Sequence, residues 1–264
     1  MFAHSHFHSS SRRHRMVRVI TLALIVLLAY FVWSDSASAE PETVVVLSAD
    51  FELRQYTAQG ALEARPAESR AACACLKDSL TGAVRENPLL DVVALPDLTA
   101  AEQAAVDEHV ALLSTIANSI QYMAKNPGEG GKWIADMGPD AVASGRYCMG
   151  DGLAFLRERT GANKALIVTG WHVEPTAGRQ VLHFILSQGQ SLAPETGTLS
   201  VVMADLDTGR VVWFRSLGEV YDSLGYAVLG QGREIDDAVV TNPVKAQEMF
   251  REMLTSYRVS EGAS

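Results

Sequence analysis

The residues most able to do chemistry in this chain sit in the stretch "VVMADLDTGRVVWF", where Asp205 and Asp207 lie two apart and Asp207-Thr208-Gly209 spells the tripeptide that carries the catalytic carboxylate of aspartic proteases. That chemistry needs two such carboxylates sharing one proton around a water molecule. The chain holds no second copy, and Arg210 follows the glycine where those enzymes place a small hydrogen-bonding residue. A turn is the better reading. Asp207 can bond its own backbone, Gly209 can supply the positive φ of a bulged hairpin, and Asp205 is accounted for as a solvated strand end.

A second constellation lies in "GWHVEPTAGRQVLHF". If "EPTAG" closes a hairpin with Glu174 facing Arg179, then His172 lies opposite Val181 and His183 is diagonal to it on the same face. Two imidazoles and a carboxylate would then be weak candidates for a divalent metal site. A slip of one residue in register destroys the arrangement, so packed or solvated histidines are the ordinary expectation. No cofactor is expected. "GEGGKW" resembles a phosphate-binding loop only superficially, because Asn126 stands where the first glycine belongs, Trp133 replaces the hydroxyl residue and Glu129 brings a negative charge. No Gly-x-Ser-x-Gly elbow is present. The catalytic alternative is therefore a hydrolase or metal-dependent enzyme using Asp205/Asp207 or His172/His183, and the first expectation is a protein that is not an enzyme.

Three cysteines cannot all pair within one chain. Cys73 and Cys75 share the helical stretch "PAESRAACACLKDSLTGAV", where residues two apart point to nearly opposite faces. Cys73 falls with Leu76 and Leu80 and reads as a small core residue. Cys75 falls with Ser79 and Gly82, which leaves a Cys75–Cys148 disulfide open to an exported chain.

The amino terminus speaks for export. Arg12, Arg13, Arg15 and Arg18 precede an apolar run from Val19 to Trp33, and Ala37-Ser38-Ala39 offers a small-x-small cleavage site before Glu40. The run is shorter than the ~20 residues that span a bilayer. A cleaved signal peptide over residues 1–39 is the expectation, and an uncleaved anchor on the periplasmic face of the inner membrane is the alternative. Met16 would start a signal of more ordinary length than Met1. The histidines at positions 4, 6, 8 and 14 lie in this segment, and no cysteine follows the apolar run to take a lipid. Without residues 1–39 the chain keeps 18 basic and 30 acidic residues, a formal charge of −12. So acidic a domain is poorly suited to nucleic acid or anionic lipid, so any membrane contact is expected only through the amino-terminal segment.

From Pro41 onward, strand and helix patterns alternate. "TVVVLSA" reads as a buried strand, and a polar stretch leads to a helix with Pro66 in its first turn. "LLDVVALPD" reads as a second strand. Thr99 and Glu102 form a capping box for a long helix with Val106, Val110, Leu113, Ile116, Ile120 and Met123 on its apolar face. Asp151 can cap a short helix that Gly161 ends in left-handed conformation. "KALIVTGWHV", "RQVLHFILSQ", "LSVVMADL" and "RVVWFRSL" read as four consecutive antiparallel strands. Asn242-Pro243 opens a last helix that places Ala246, Phe250, Met253 and Tyr257 on one face. The order strand, helix, strand, helix, short helix, four strands, helix predicts one α/β domain over residues 40–264 with a mixed sheet, an antiparallel meander and flanking helices.

The stretch from Gly161 to Leu217, with its helix, Gly-Ala, strand step and its Asp-x-x-Thr-Gly-x-Val-x-Trp-like hairpin, resembles a family of small exported α/β domains. The amino-terminal domain of the Tol-Pal translocation protein, the curli-secretion lipoprotein and the lipoprotein activators of penicillin-binding proteins look similar in this respect. The resemblance implies a non-catalytic component of the bacterial envelope that docks to other envelope proteins. The chain departs from it in lacking a lipobox and in carrying long loops over 126–150 and 218–241. Long loops in compact domains are often functional, and "YDSLGYAVLGQ" places Tyr221, Tyr226 and Leu229 amid glycines in a composition suited to partner contact. Mass spectrometry of the exported chain should find its amino terminus at Glu40; an intact start at Met1 or Met16 would instead identify an anchor.

Overall fold

Alternation decides the centre of this molecule. In β1 (Glu42–Val46) Val44 and Val46 point to one side of the sheet, while Val45, and Leu47 just past the strand, point to the other. A strand hydrophobic at every position is one covered on both faces. The same holds in β6 (Lys164–Pro175), where Leu166 and Val168 oppose Ala165 and Ile167. The computed structural model describes residues 40–125, 136–137, 147–189, 195–219 and 240–257, and from Pro41 onward the chain forms one compact unit.

Among the described residues the other strands are β2 (Asp50–Tyr56), β3 (Leu62–Ala64), β4 (Leu90–Val93), β5 (Asp136–Met137), β7 (Thr196–Asp205) and β8 (Val211–Glu219). The helices are α1 (Pro66–Arg85), α2 (Ala100–Lys125), α3 (Ala154–Thr160), α4 (Ala177–Leu186) and α5 (Pro243–Leu254). The sheet runs β3-β2-β6-β7-β8-β5, with β1 between β4 and the first half of β6. β1 and β2 both lie parallel to β6, pairing with Lys164–Leu166 and Thr169–Pro175 in turn. β6, β7 and β8 form the antiparallel meander. The mixed α/β fold expected from the sequence is therefore what the chain adopts.

One face of the sheet packs against α1 and α5, with Leu76, Leu80 and Phe250 meeting Phe51, Leu53, Met203 and Trp213. The other face is covered by α2 and α3, with Val106, Val110, Leu113 and Leu156 against Ile167, Val202 and Phe214. The local signals that start and stop these helices act as expected. Thr99 Oγ1 accepts from the Glu102 N–H at 3.3 Å, and Glu102 Oε2 accepts from the Thr99 N–H at 2.7 Å. Those Thr99 bonds, together with Arg159, hold the Glu102 carboxyl below the usual carboxylate range. Asn242 Oδ1 caps α5 by accepting from Val244 and Lys245. Gly161 ends α3 at φ 74°. Among the described residues no helix is long and apolar enough to cross a membrane.

Three expectations need correction. The polar stretch after Ala49 contains β2, whose Phe51 and Leu53 alternate into the core. Asp151 does not cap α3 through its side chain; its carbonyl accepts from the Ala154 N–H at 2.9 Å and the helix begins a residue after Leu153. "RQVLHFILSQ" is not a strand. Thr176 Oγ1 accepts from the Arg179 N–H at 3.1 Å, which caps the chain into α4 as soon as β6 ends. β6 therefore pairs with β7 instead, and the meander has three strands rather than four.

Phe250 is fully buried between α1 and the sheet. Phe250→Ala should lower the unfolding free energy by about 3–5 kcal/mol, read as a shift of the denaturant midpoint with an unchanged slope.

Candidate functional site

The Asp-Thr-Gly turn joins β7 to β8 and is built as a scaffold. Asp205, not Asp207, organises it. Its Oδ1 accepts from the N–H of Asp207 at 3.1 Å, the N–H of Thr208 at 2.9 Å and the Thr208 hydroxyl at 2.8 Å. Its Oδ2 accepts from Lys164 Nζ at 2.7 Å. Burial pushes this carboxyl upward, but the Lys164 ammonium and the two Thr208 donors outweigh it and leave it below the usual range. Asp207 points away to pair with Arg157 of α3. Gly209 sits at φ 63°, and a Cβ there would collide with the Gly150 carbonyl. The approach is close because residues 147–150 lie along the hairpin, with the Met149 N–H donating to the Gly209 carbonyl and Cys148 bridging Arg210. Each carboxylate is thus committed to a cation within the fold, which is the arrangement of a locked turn.

His172 is fully buried on β6. Its register partners are Gly197 on β7 and Leu53 on β2, not Val181. Gly197 makes room for the ring, since a Cβ there would come within 2.8 Å of His172 Nδ1. His172 Nε2 lies 3.9 Å from Glu174 Oε1 and 3.7 Å from Glu195 Oε2, and Arg65 Nη1 binds Glu174 Oε2 at 2.8 Å. His183 belongs to the last turn of α4. The cross-strand triad of His172, Glu174 and His183 therefore does not form, because it required residues 179–188 to be extended. Among the described residues no group of three or more His, Cys, Asp or Glu side chains is arranged to hold a metal ion.

The thiols are likewise separate. Cys73, Cys75 and Cys148 are all free, so the Cys75–Cys148 disulfide is absent. Cys73 packs against the α1 side of the core, with Sγ accepting from the Phe51 N–H at 3.3 Å. Burial pushes both the Cys73 and Cys75 thiols up, away from the thiolate that reactive cysteines need. Cys148 lies against the Thr208 carbonyl at the hairpin, engaged with a different element from α1. Tyr221, Tyr226 and Leu229, the partner contacts suggested by the sequence, lie outside the described residues.

What the structure adds is α4. It begins where β6 ends, beside Tyr56 at the carboxyl end of β2. The Thr176 N–H donates to the Tyr56 carbonyl at 2.9 Å, and the Arg179 guanidinium stacks 4.5 Å from the Tyr56 ring centroid. Arg179, Gln180, Leu182 and His183 are half-buried, whereas Ala177, Gly178, Val181, Phe184, Ile185 and the terminal Leu186 are exposed. Val181 is 59% exposed, Phe184 48% and Ile185 65%. Surface helices ordinarily turn the apolar stripe toward the core. α4 turns it outward. Leu62 of β3, 54% exposed, pairs with Tyr56 across the strand and so adds to the apolar character of the same end of the sheet. The signal was in the sequence as Ala177, Val181, Phe184 and Ile185 at helical spacing behind a threonine cap, but Val, Phe, Ile and Leu in a row also read as strand.

No family model and no curated protein matches this chain. Solved structures with a likeness to it include the LpoB C-terminal domain from Salmonella enterica, at 12% identity and a TM-score of 0.26, covering 71% of this chain and 87% of that one. Another is the hypothetical protein CT253 from Chlamydia trachomatis, at 10% identity and a TM-score of 0.30, covering 82% of this chain and 95% of that one. The fold is only weakly related to either, and these values are too low to bear on function.

The two aspartates of the turn should separate cleanly on mutation. Asp205→Ala should cost about 1–3 kcal/mol, because it strands Lys164 and the Thr208 donors, whereas Asp207→Ala should cost less than about 1 kcal/mol as the loss of an exposed pair. The Asp205 carboxyl is depressed in the folded state, so its contribution is present above the ordinary value near ~4 and is lost as pH falls through the lower folded value. Thermal melts of Asp205→Asn and the parent chain should converge toward acid pH.

Proposed function

We propose that this chain is an exported, non-catalytic binding or assembly factor of the bacterial cell envelope, acting from the periplasm by docking to other protein chains. The observation that carries the reading is the outward apolar stripe of α4. Exposing Val181, Phe184 and Ile185 on one ridge leaves unsatisfied apolar area of the kind that marks protein contact sites. Burial of such aliphatic and aromatic side chains stabilises a complex by about 25 cal/mol per Å² removed from water, before the cost of association.

The residues considered for catalysis support the same reading by what they do in the fold. Asp205 and Asp207 serve the hairpin, and His172 packs between two strands. The segment 218–241, with Tyr221, Tyr226 and Leu229, belongs to the proposal as a second contact region. The export signal over residues 1–39 supplies the compartment.

In-cell crosslinking of a carboxy-terminally tagged chain, followed by mass spectrometry, tests the proposal. Phe184→Asp with Ile185→Asp should abolish at least one discrete crosslinked species while leaving the thermal midpoint within a few degrees, since both side chains are exposed. Shortening 218–241 should weaken capture in the same way. Capture that is unchanged by every one of these variants would overturn the reading.

A further inference from the structure

We infer that the stripe of α4 is a self-association surface, and that its occupant is the α4 of a second copy of this chain packed antiparallel across a two-fold axis at Val181. The inference rests on the docking role proposed for this helix and names the partner. Two features point to it.

The first is charge. The chain carries 31 Asp and Glu against 22 Lys and Arg, yet from Pro175 to Pro194 there is no Asp, Glu or Lys. The helix has one fixed cation, Arg179, and it is held inward over Tyr56. Two copies of an acidic protein repel one another wherever their acidic surfaces meet. On α4 the contact would be free of that repulsion. A membrane is a poor alternative occupant, because interfacial helices carry Lys and Arg on their polar face to meet anionic headgroups.

The second is shape. An isologous contact must be complementary to itself. Antiparallel pairing about Val181 places each residue opposite the one equally far on the other side of the axis, so Ala177 meets Ile185 and Gly178 meets Phe184. Small residues at the start of the helix face large ones at its end, and the ridge of one copy fits the hollow of the other. The pairing also sets the two helix dipoles antiparallel. The residues that this pairing brings together, Ala177, Gly178, Val181, Phe184 and Ile185, are all exposed, and Leu182 and His183 are half-buried; Leu186 is exposed as well but lies off the stripe.

The geometry gives a discriminating test. At the 8–10 Å interaxial distance of packed helices, two facing Cα atoms on the axis approach within disulfide reach. Val181→Cys in a Cys148→Ser background, made in the full chain and exported by the cell, should therefore form a covalent dimer on a non-reducing gel. Leu186→Cys, equally exposed but turned well off the stripe, should not. Adding Ile185→Glu should remove the Val181→Cys dimer. In light scattering of the protein as purified from the envelope, that substitution should raise the dissociation constant at least about tenfold. Equal crosslinking at positions 181 and 186, or none at 181, overturns the inference. If the chain is monomeric but Ile185→Glu eliminates a crosslink to a different protein, the second-copy inference fails and the docking reading stands. If Ile185→Glu changes neither, both fail.

Discussion

The backbone ladder of β6 couples every other part of this fold. Its first residues hold β1, its later residues hold β2, and the run from Lys164 to Val173 holds β7 on the opposite side. Because Ala165 through Val168 are buried on both faces, the strand forms only when helices cover the sheet above and below. α1 with α5, and α2 with α3, are the two covers. The packing of the helices and the register of the sheet are thus one constraint rather than two, since a slip of one residue in β6 would exchange the faces that the helices bury.

The two ends of β6 are finished with different chemistry. At its start, Lys164 and Asp205 close the Asp-Thr-Gly turn, and residues 147–150 seal the turn from outside. At its end, fully buried His172 sits between Glu174 and Glu195, and Arg65 ties Glu174 to the start of α1. Charged groups within a folded domain must be paired, because desolvation without a partner costs several kcal/mol. These clusters hold polar residues that resemble a catalytic inventory when listed along the chain.

α4 is the exception to the economy of the domain. Among the described residues its anchors include the Thr176 cap, the bond to the Tyr56 carbonyl and the Arg179 stack on the Tyr56 ring. Apolar contact plays a small part, since none of its residues is fully buried. Holding a helix by its polar side leaves its apolar side available, which is the reverse of how α1, α2 and α5 are attached.

The sequence by itself determined the fold class, the capped starts of α2 and α5, the left-handed end of α3, and the buried strands β1, β6, β7 and β8. These rest on interactions within a few residues, or on a burial pattern that has only one consistent solution. Tertiary structure decided the rest. Residues 179–188 carry a hydrophobic run compatible with either period; the Thr176 cap is a local signal for helix, and the distant contact is the space beside Tyr56 that receives Arg179. It decided the fate of Asp205 and Asp207 as well, because Lys164 and Arg157 are distant in sequence and reach the turn only once β6 and α3 are in place. The placement of His172 was likewise beyond local reading, since its partner Gly197 lies across an antiparallel pairing that begins after α4. Local propensity sets which elements a segment can form; contacts between distant segments choose among them and decide which side chains are left exposed.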